Sequence, residues 1–201
     1  MAGCLSPNRL LNIVDHFEVL SLPPQAALSE EVLHQAYADK SRIAHPDHGG
    51  TEQHATEVNA AYEALRSPET RLKHLLELAV PEQAKAWRTV PLDEGMMQVF
   101  SQLGAALEAS AKFLEKKSKA QSALAKALLT NEEMRQRDTL EAIGTAIAAH
   151  RAMMEGELPA IDLELASAGE DTWRKLAAMQ ARFSYLGKWQ TQVRERLLQL
   201  M

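Results

Sequence analysis

Ala44-His45-Pro46-Asp47-His48-Gly49-Gly50 stands between two stretches with helical apolar spacing. Leu33, Ala36, Tyr37 and Ile43 precede it, and Val58, Tyr62 and Leu65 follow. Pro46 disfavours the α conformation at His45, so the first helix must stop at about Ala44. Two glycines then turn the chain, and Thr51 is placed to cap a second helix that runs through Leu65. The proline ring also fixes its own φ, which stiffens the loop and holds His45 and Asp47 outward as a donor and a carboxylate. Such a pair can engage polar groups of a partner and bias its conformational equilibrium without doing bond chemistry. The plainer reading is a capped turn in which Asp47 accepts from nearby backbone N–H groups. The tripeptide alone leaves both open.

Outward from this loop the pattern stays helical. Residues 15–20 can form a short helix that buries Phe17 and Leu20, after which Pro23-Pro24 interrupts. Ser29 is a good N-cap for the helix before the loop, with Leu28 and Leu33 placed as a hydrophobic staple. Beyond the second helix, Ser67-Pro68 restarts the chain as cap plus first-turn proline, and Leu72, Leu75 and Leu76 make an apolar stripe. Residues 10–79 therefore read as one small helical domain. Residues 80–91, with Pro81, Pro91 and an isolated Trp87, read as a connector.

Residues 92–201 carry three longer helical patterns. Met96, Phe100, Leu103, Leu107 and Leu114 follow spacings of about three and four along the first, from Leu92 towards Leu129. Thr130 with Glu133 forms a capping box that would start the second, with Leu140, Ile143, Ile147 and Met154 inside and Pro159 at or beyond its end. The third, from about Asp171, places Leu176, Met179, Phe183, Leu186, Gln190, Val193, Leu197 and Leu200 in an a/d heptad series with one polar position. Short connections make neighbours antiparallel, so the expected fold is all-α, a small helical domain followed by a three-helix bundle.

Composition narrows the functions. The 201 residues carry 22 basic and 27 acidic side chains, a net charge of −5, so nucleic acid is not an expected partner. Lys112, Lys116, Lys117 and Lys119 form a locally basic stretch, but no aromatic platform accompanies it, and a solvated helix face is the ordinary reading. A single cysteine, Cys4, can form neither an internal disulfide nor a CxxC metal site. His45, His48 and His54 lack a supporting ligand set, so no metal and no cofactor is expected. No Gly-rich phosphate loop, GxSxG elbow or Cys/His pair is present, and an enzyme reading has no support. Residues 1–14 make a poor signal peptide and no stretch approaches a membrane span, so a cytoplasmic protein with no membrane partner is expected.

His45-Pro46-Asp47, between two amphipathic helices at this spacing, resembles the signature of the J-domain, the module by which co-chaperones activate DnaK-type ATPases. Further details resemble one J-protein family, HscB, the co-chaperone of iron–sulfur cluster assembly. They are the entry Asp15-His16-Phe17-Glu18-Val19-Leu20-Ser21-Leu22-Pro23-Pro24, the run Ser67-Pro68-Glu69-Thr70-Arg71-Leu72-Lys73-His74-Leu75-Leu76-Glu77-Leu78, and the final helix from Asp171 to Leu198. The resemblance implies that His45, Pro46 and Asp47, with Lys40 and Arg42 on the preceding helix, engage a DnaK/HscA-type chaperone. It also implies a bundle that delivers an IscU-type scaffold through Met96, Met97 and Phe100, with Phe183 able to join that surface. Core packing is the other reading of Met96 and Phe100, which leaves Met97 the better candidate for an exposed contact. Two departures stand out. Ile43 and Ala44 occupy places where J-domains carry a basic and an aromatic residue, and Gln98, Ser101 and Ala105 stand where the HscB client segment favours acids. A J-protein with a different client, or a J-like adaptor that has lost its chaperone, are the alternative readings.

Overall fold

The computed structural model describes residues 13–44, 50–87 and 90–201. Eight helices follow in order: α1 (His16–Val19), α2 (Glu30–Ala44), α3 (Glu52–Leu65), α4 (Pro68–Ala79), α5 (Pro81–Ala86), α6 (Glu94–Lys119), α7 (Ala123–Leu165) and α8 (Glu170–Gln199). The described residues contain no strand, and no described helix is long and apolar enough to cross a membrane. The chain forms two compact units. One holds residues up to Val90 together with Glu155–Phe183, and the other holds Pro91–Met154 with Ser184–Met201.

In the first unit the local signals act where the sequence places them. The Asp15 carboxylate accepts from the Phe17 and Glu18 amides and starts α1, which buries Phe17 and Leu20. The Ser29 hydroxyl accepts from the Val32 amide at the start of α2. Thr51 caps α3 and Ser67 caps α4, with Pro68 in the first turn. Helix α3 is central and packs against α1, α2 and α4. Val58, Ala61 and Leu65 on α3 meet a core that includes Leu33, Leu72, Leu75 and Leu76. Tyr37 and Tyr62 bring α2 and α3 together with ring centroids 4.4 Å apart, and the Tyr37 hydroxyl donates to Asn59 Oδ1 at 2.8 Å. Ile43 departs from the expected apolar stripe. It is 61% exposed, and Ala44 takes the buried position, one full set of turns from Leu33.

The extended segment between α1 and α2 has no ladder to satisfy its backbone, so side chains do so. Buried Arg71 donates from Nε to the Ala26 carbonyl at 2.8 Å and from an η nitrogen to the Leu65 carbonyl at 2.7 Å. Asp162, on the far part of α7, accepts from the Ala26 and Ala27 amides at 2.5 and 2.7 Å. The Gln180 amide of α8 reaches the Glu69 carbonyl at 3.3 Å, and Arg174 lies over the Trp87 ring at 5.7 Å. These bonds make residues 155–183 part of the same unit as α1–α5.

Four details of the expected helices are corrected, three of them in the second unit. The core stripe of α6 is Met96, Val99, Leu103, Ala106, Ser110 and Phe113, while Phe100 is exposed and Leu107 and Leu114 lie at the margin. Ser110 is admitted because Arg196 of α8 donates to its hydroxyl and to the Leu107 carbonyl, both at 3.1 Å. Thr130 starts no helix: α7 begins at Ala123, where the Ser122 hydroxyl accepts from the Ala125 amide at 3.1 Å. Glu133 is used for a cross-helix ion pair with Lys117 at 2.8 Å, beside Lys116–Glu132 at 2.6 Å. Pro159, in the part of α7 that belongs to the first unit, lies inside the helix. Its missing N–H costs one backbone bond, but it faces outward between buried Leu158 and Ile161, whose packing holds the helix. On α8 the polar heptad position Gln190 is exposed and Trp189 fills the core beside it.

Candidate functional site

Two surfaces carry the candidate residues, one in each unit. In the first unit, α2 ends at buried Ala44 and the described chain resumes at Gly50, directly against it. A Cβ at residue 50 would overlap the Ala44 carbonyl, so only glycine lets the two ends approach in this way. His45, Pro46 and Asp47 lie outside the described residues. Their flanks are fixed: α2 enters through Ala44, and α3 leaves through Thr51, whose hydroxyl accepts from the His54 amide at 3.1 Å.

The outer face of α2 carries little free positive charge. Arg42 is exposed and bonded to Asp39 at 2.6 Å, and Asp39 also accepts from Gln35 at 3.0 Å. Lys40 is half-buried, and Glu30 and Glu31 are exposed at the helix start. Exposed Ile43 adds an apolar contact next to Arg42. A partner meeting this face finds a compensated Arg42, a half-buried Lys40 and an aliphatic side chain, not a basic strip.

The entry to α1 is held by a cluster that sequence reading missed. The His16 backbone N–H donates to His74 Nε2 at 3.0 Å, and the two imidazole centroids lie 4.5 Å apart. Accepting that bond requires a neutral His74 ring. Burial, reinforced by the neighbouring His16, pushes the His74 pKa down to about 4, against the weaker pull of the Asp15 carboxylate. Asp15 Oδ1 is 3.8 Å from the same nitrogen and would be an ion-pair partner only for the protonated ring. Burial likewise lowers the pKa of His16.

In the second unit α6 opens with Asp93 capping the Met96 amide at 2.9 Å. This sets the rotation of the helix. Met96 is buried at 1% exposure, whereas Met97 and Phe100 are 50% and 52% exposed. Phe100 leans on Trp189, with ring centroids 5.7 Å apart, and Trp189 stacks on half-buried Tyr185 at 6.2 Å. The result is an aromatic row from α8 to α6 that ends in an open ring and a flexible thioether. Phe183 belongs to the first unit and is fully buried, so neither it nor Met96 presents a surface to a partner. The cue for Trp189 was a large aromatic residue next to the one polar heptad position. The four lysines from 112 to 119 are each paired with a glutamate, at 2.6 to 2.8 Å. No metal-binding group of side chains occurs among the described residues.

The DnaJ domain family matches residues 15–74. The chain is 40% identical over 72 residues to the co-chaperone protein HscB homolog of Burkholderia thailandensis, which takes in 31% of this chain and 41% of that protein. It is 32% identical over 72 residues to the HscB homolog of Vibrio vulnificus, taking in 31% of this chain and 42% of the relative. The chain thus spans about two fifths of the length of these curated relatives. In fold it is similar to chaperone HscB from Vibrio cholerae, with a TM-score of 0.55 and 22% identity, over 94% of this chain and all of that structure.

Proposed function

We propose that this chain, whose residues 15–74 match the DnaJ domain and whose curated relatives include HscB co-chaperones, is a two-handed co-chaperone. One hand, within residues 10–79, stimulates ATP hydrolysis by a DnaK/HscA-type chaperone through His45, Pro46 and Asp47, with Lys40, Arg42 and Ile43 beside them. The other, within residues 92–201, holds a client of the IscU scaffold type on Met97 and Phe100, with residues 80–91 connecting the two. The chain does no bond chemistry itself; it shifts the conformational equilibrium of its partner.

The observation that carries the reading is the DnaJ-domain match over residues 15–74, which takes in His45-Pro46-Asp47. Replacing His45 by Gln is expected to abolish stimulation of the chaperone ATPase in single-turnover assays, with helicity and melting unchanged. Full stimulation by the variant would remove the loop from the mechanism, and loss of fold would make His45 structural. A client other than an iron–sulfur scaffold is the second reading, favoured by the uncharged Gln98, Ser101 and Ala105 on the client helix.

A further inference from the structure

The segment between α1 and α2 decides where α2 begins, and it is held by residues remote in sequence. Upstream the chain is stiff, because Pro23 and Pro24 fix their φ angles. Ala26 is fully buried, so its amide cannot turn to water and must be bonded within the protein. The Asp162 carboxylate of α7 meets that need with both oxygens, one on the Ala26 amide at 2.5 Å and the other on the Ala27 amide at 2.7 Å. Arg71 of α4 holds the same residue by its carbonyl, at 2.8 Å. Directly after this anchor, Ser29 caps α2. A shift at Ala26 and Ala27 is therefore passed to α2 and not absorbed by the chain before it.

Helix α2 needs that anchor more than its neighbours do. Of its 15 residues only Leu33 and Ala44 are buried, whereas α3 buries Val58, Ala61 and Leu65 and α4 is buried along most of one side. Two buried points fix a line but not an orientation, and Tyr37 adds contact at its side through Tyr62 and Asn59. The helix is about 21 Å long, so a tilt of about 5° at its start displaces its end by about 2 Å. That end is Ala44, where His45-Pro46-Asp47 begins. A donor and a carboxylate that must meet partner groups within hydrogen-bond reach do not tolerate such a displacement. Asp162 itself lies outside residues 15–74, the stretch that matches the DnaJ domain, yet it belongs to the same compact unit.

We propose that Asp162 is a positioning residue for chaperone activation, its carboxylate setting the angle at which α2 presents His45-Pro46-Asp47. This rests on the co-chaperone reading and adds to it a requirement: the activating geometry of the DnaJ-like stretch is completed by a side chain 136 positions from the amide it holds.

The test is single-turnover ATP hydrolysis by the organism's HscA- or DnaK-type chaperone, titrated with the full chain as wild type, Asp162→Ala, Asp162→Asn and Met179→Ala. Asparagine keeps the shape of the side chain but turns an N–H towards one of the two amides. Met179→Ala opens a buried site on α8 in the same unit and serves as the matched loss of stability. Both Asp162 variants are expected to lower the maximal rate about tenfold, while the concentration giving half of it changes less than about threefold. Met179→Ala is expected to keep the wild-type maximum. A merely structural role would do the reverse, raising the half-maximal concentration by depleting the folded fraction and leaving the maximum alone, and that result would overturn the proposal. An equal fall for Met179→Ala would overturn it too, since any loosening of the unit would then suffice. Hydrogen exchange on the wild type keeps the test decisive if the Asp162 variants do not fold. The Ala26 and Ala27 amides are expected to be protected as strongly as that of Leu33, and rapid exchange there would refute the positioning role. Asp162 variants that match wild-type stimulation would overturn the positioning alone, whereas no stimulation by the wild type would overturn the co-chaperone reading and the proposal with it.

Discussion

At the scale of single residues, His74 shows what a linear reading misses. It lies in the Leu-rich run after Ser67-Pro68, where its apolar neighbours announce a core helix, but its partner is the His16 amide, 58 positions earlier. Neither composition nor periodicity points across that distance. The consequence is a definite pH dependence. His74 titrates at about 4 when folded and near 6.5 when unfolded, so between those values the unfolded chain takes up the proton first. The contribution to stability is whole above about pH 6.5, declines as pH falls through the window, and is flat below about pH 4. At 1.36 kcal/mol per tenfold in binding constant this amounts to at most roughly 3 kcal/mol. The lowered pKa of His16 acts in the same direction. Urea denaturation between pH 4 and 7 should show a clearly shallower slope for His74→Gln than for wild type. Equal slopes would mean that other groups govern acid stability. Met97, by contrast, was legible as the better candidate for an exposed contact, whereas Phe100 stood on the expected core stripe and is exposed because Val99 takes the buried position beside Met96.

Among the elements, the legible ones are those with short-range signals. Asp15, Ser29, Thr51 and Ser67 each begin a helix through a bond spanning two or three residues, which the sequence displays directly. The long helices are harder. On α6 two adjacent stripes carry large apolar residues, and the choice between Phe100 and Val99 depends on which small residues α8 can pack against, down to a serine held by Arg196. On α7 the local signals of Thr130 and Pro159 are real but lose to tertiary packing, because the cross-helix ion pairs at one point and buried Leu158 and Ile161 at the other favour a continuous helix. The bond that ties α7 to the segment between α1 and α2 yields a prediction. Asp162→Ala leaves the Ala26 and Ala27 amides without their carboxylate, and the expected loss is about 1–3 kcal/mol in chemical denaturation with the helical content intact. A loss below about 0.5 kcal/mol, the range of ordinary surface substitutions, would mean water replaces the carboxylate without cost.

For the whole molecule, the class was legible because a tripeptide, two flanking helix patterns and a Leu-Pro-Pro entry agree on one domain type, and the DnaJ-domain match covers that stretch. The membership of the compact units was not legible. Residues 155–183 belong to the unit that contains α1–α5, through Asp162, Arg174 and Gln180, none of which differs in type from an ordinary surface residue of an amphipathic helix. The apolar spacing of α6 did separate Met96, which is buried, from Met97, which is exposed. The central claim is that one chain couples a chaperone ATPase to a client. It is tested most directly by single-turnover ATP hydrolysis by the organism's HscA- or DnaK-type chaperone, with this protein and an IscU-type scaffold added separately and together. The account predicts that the two together accelerate hydrolysis by more than the product of their separate effects, and that His45→Gln removes the gain. Acceleration by this protein that the scaffold leaves unchanged, or none at all, would contradict it.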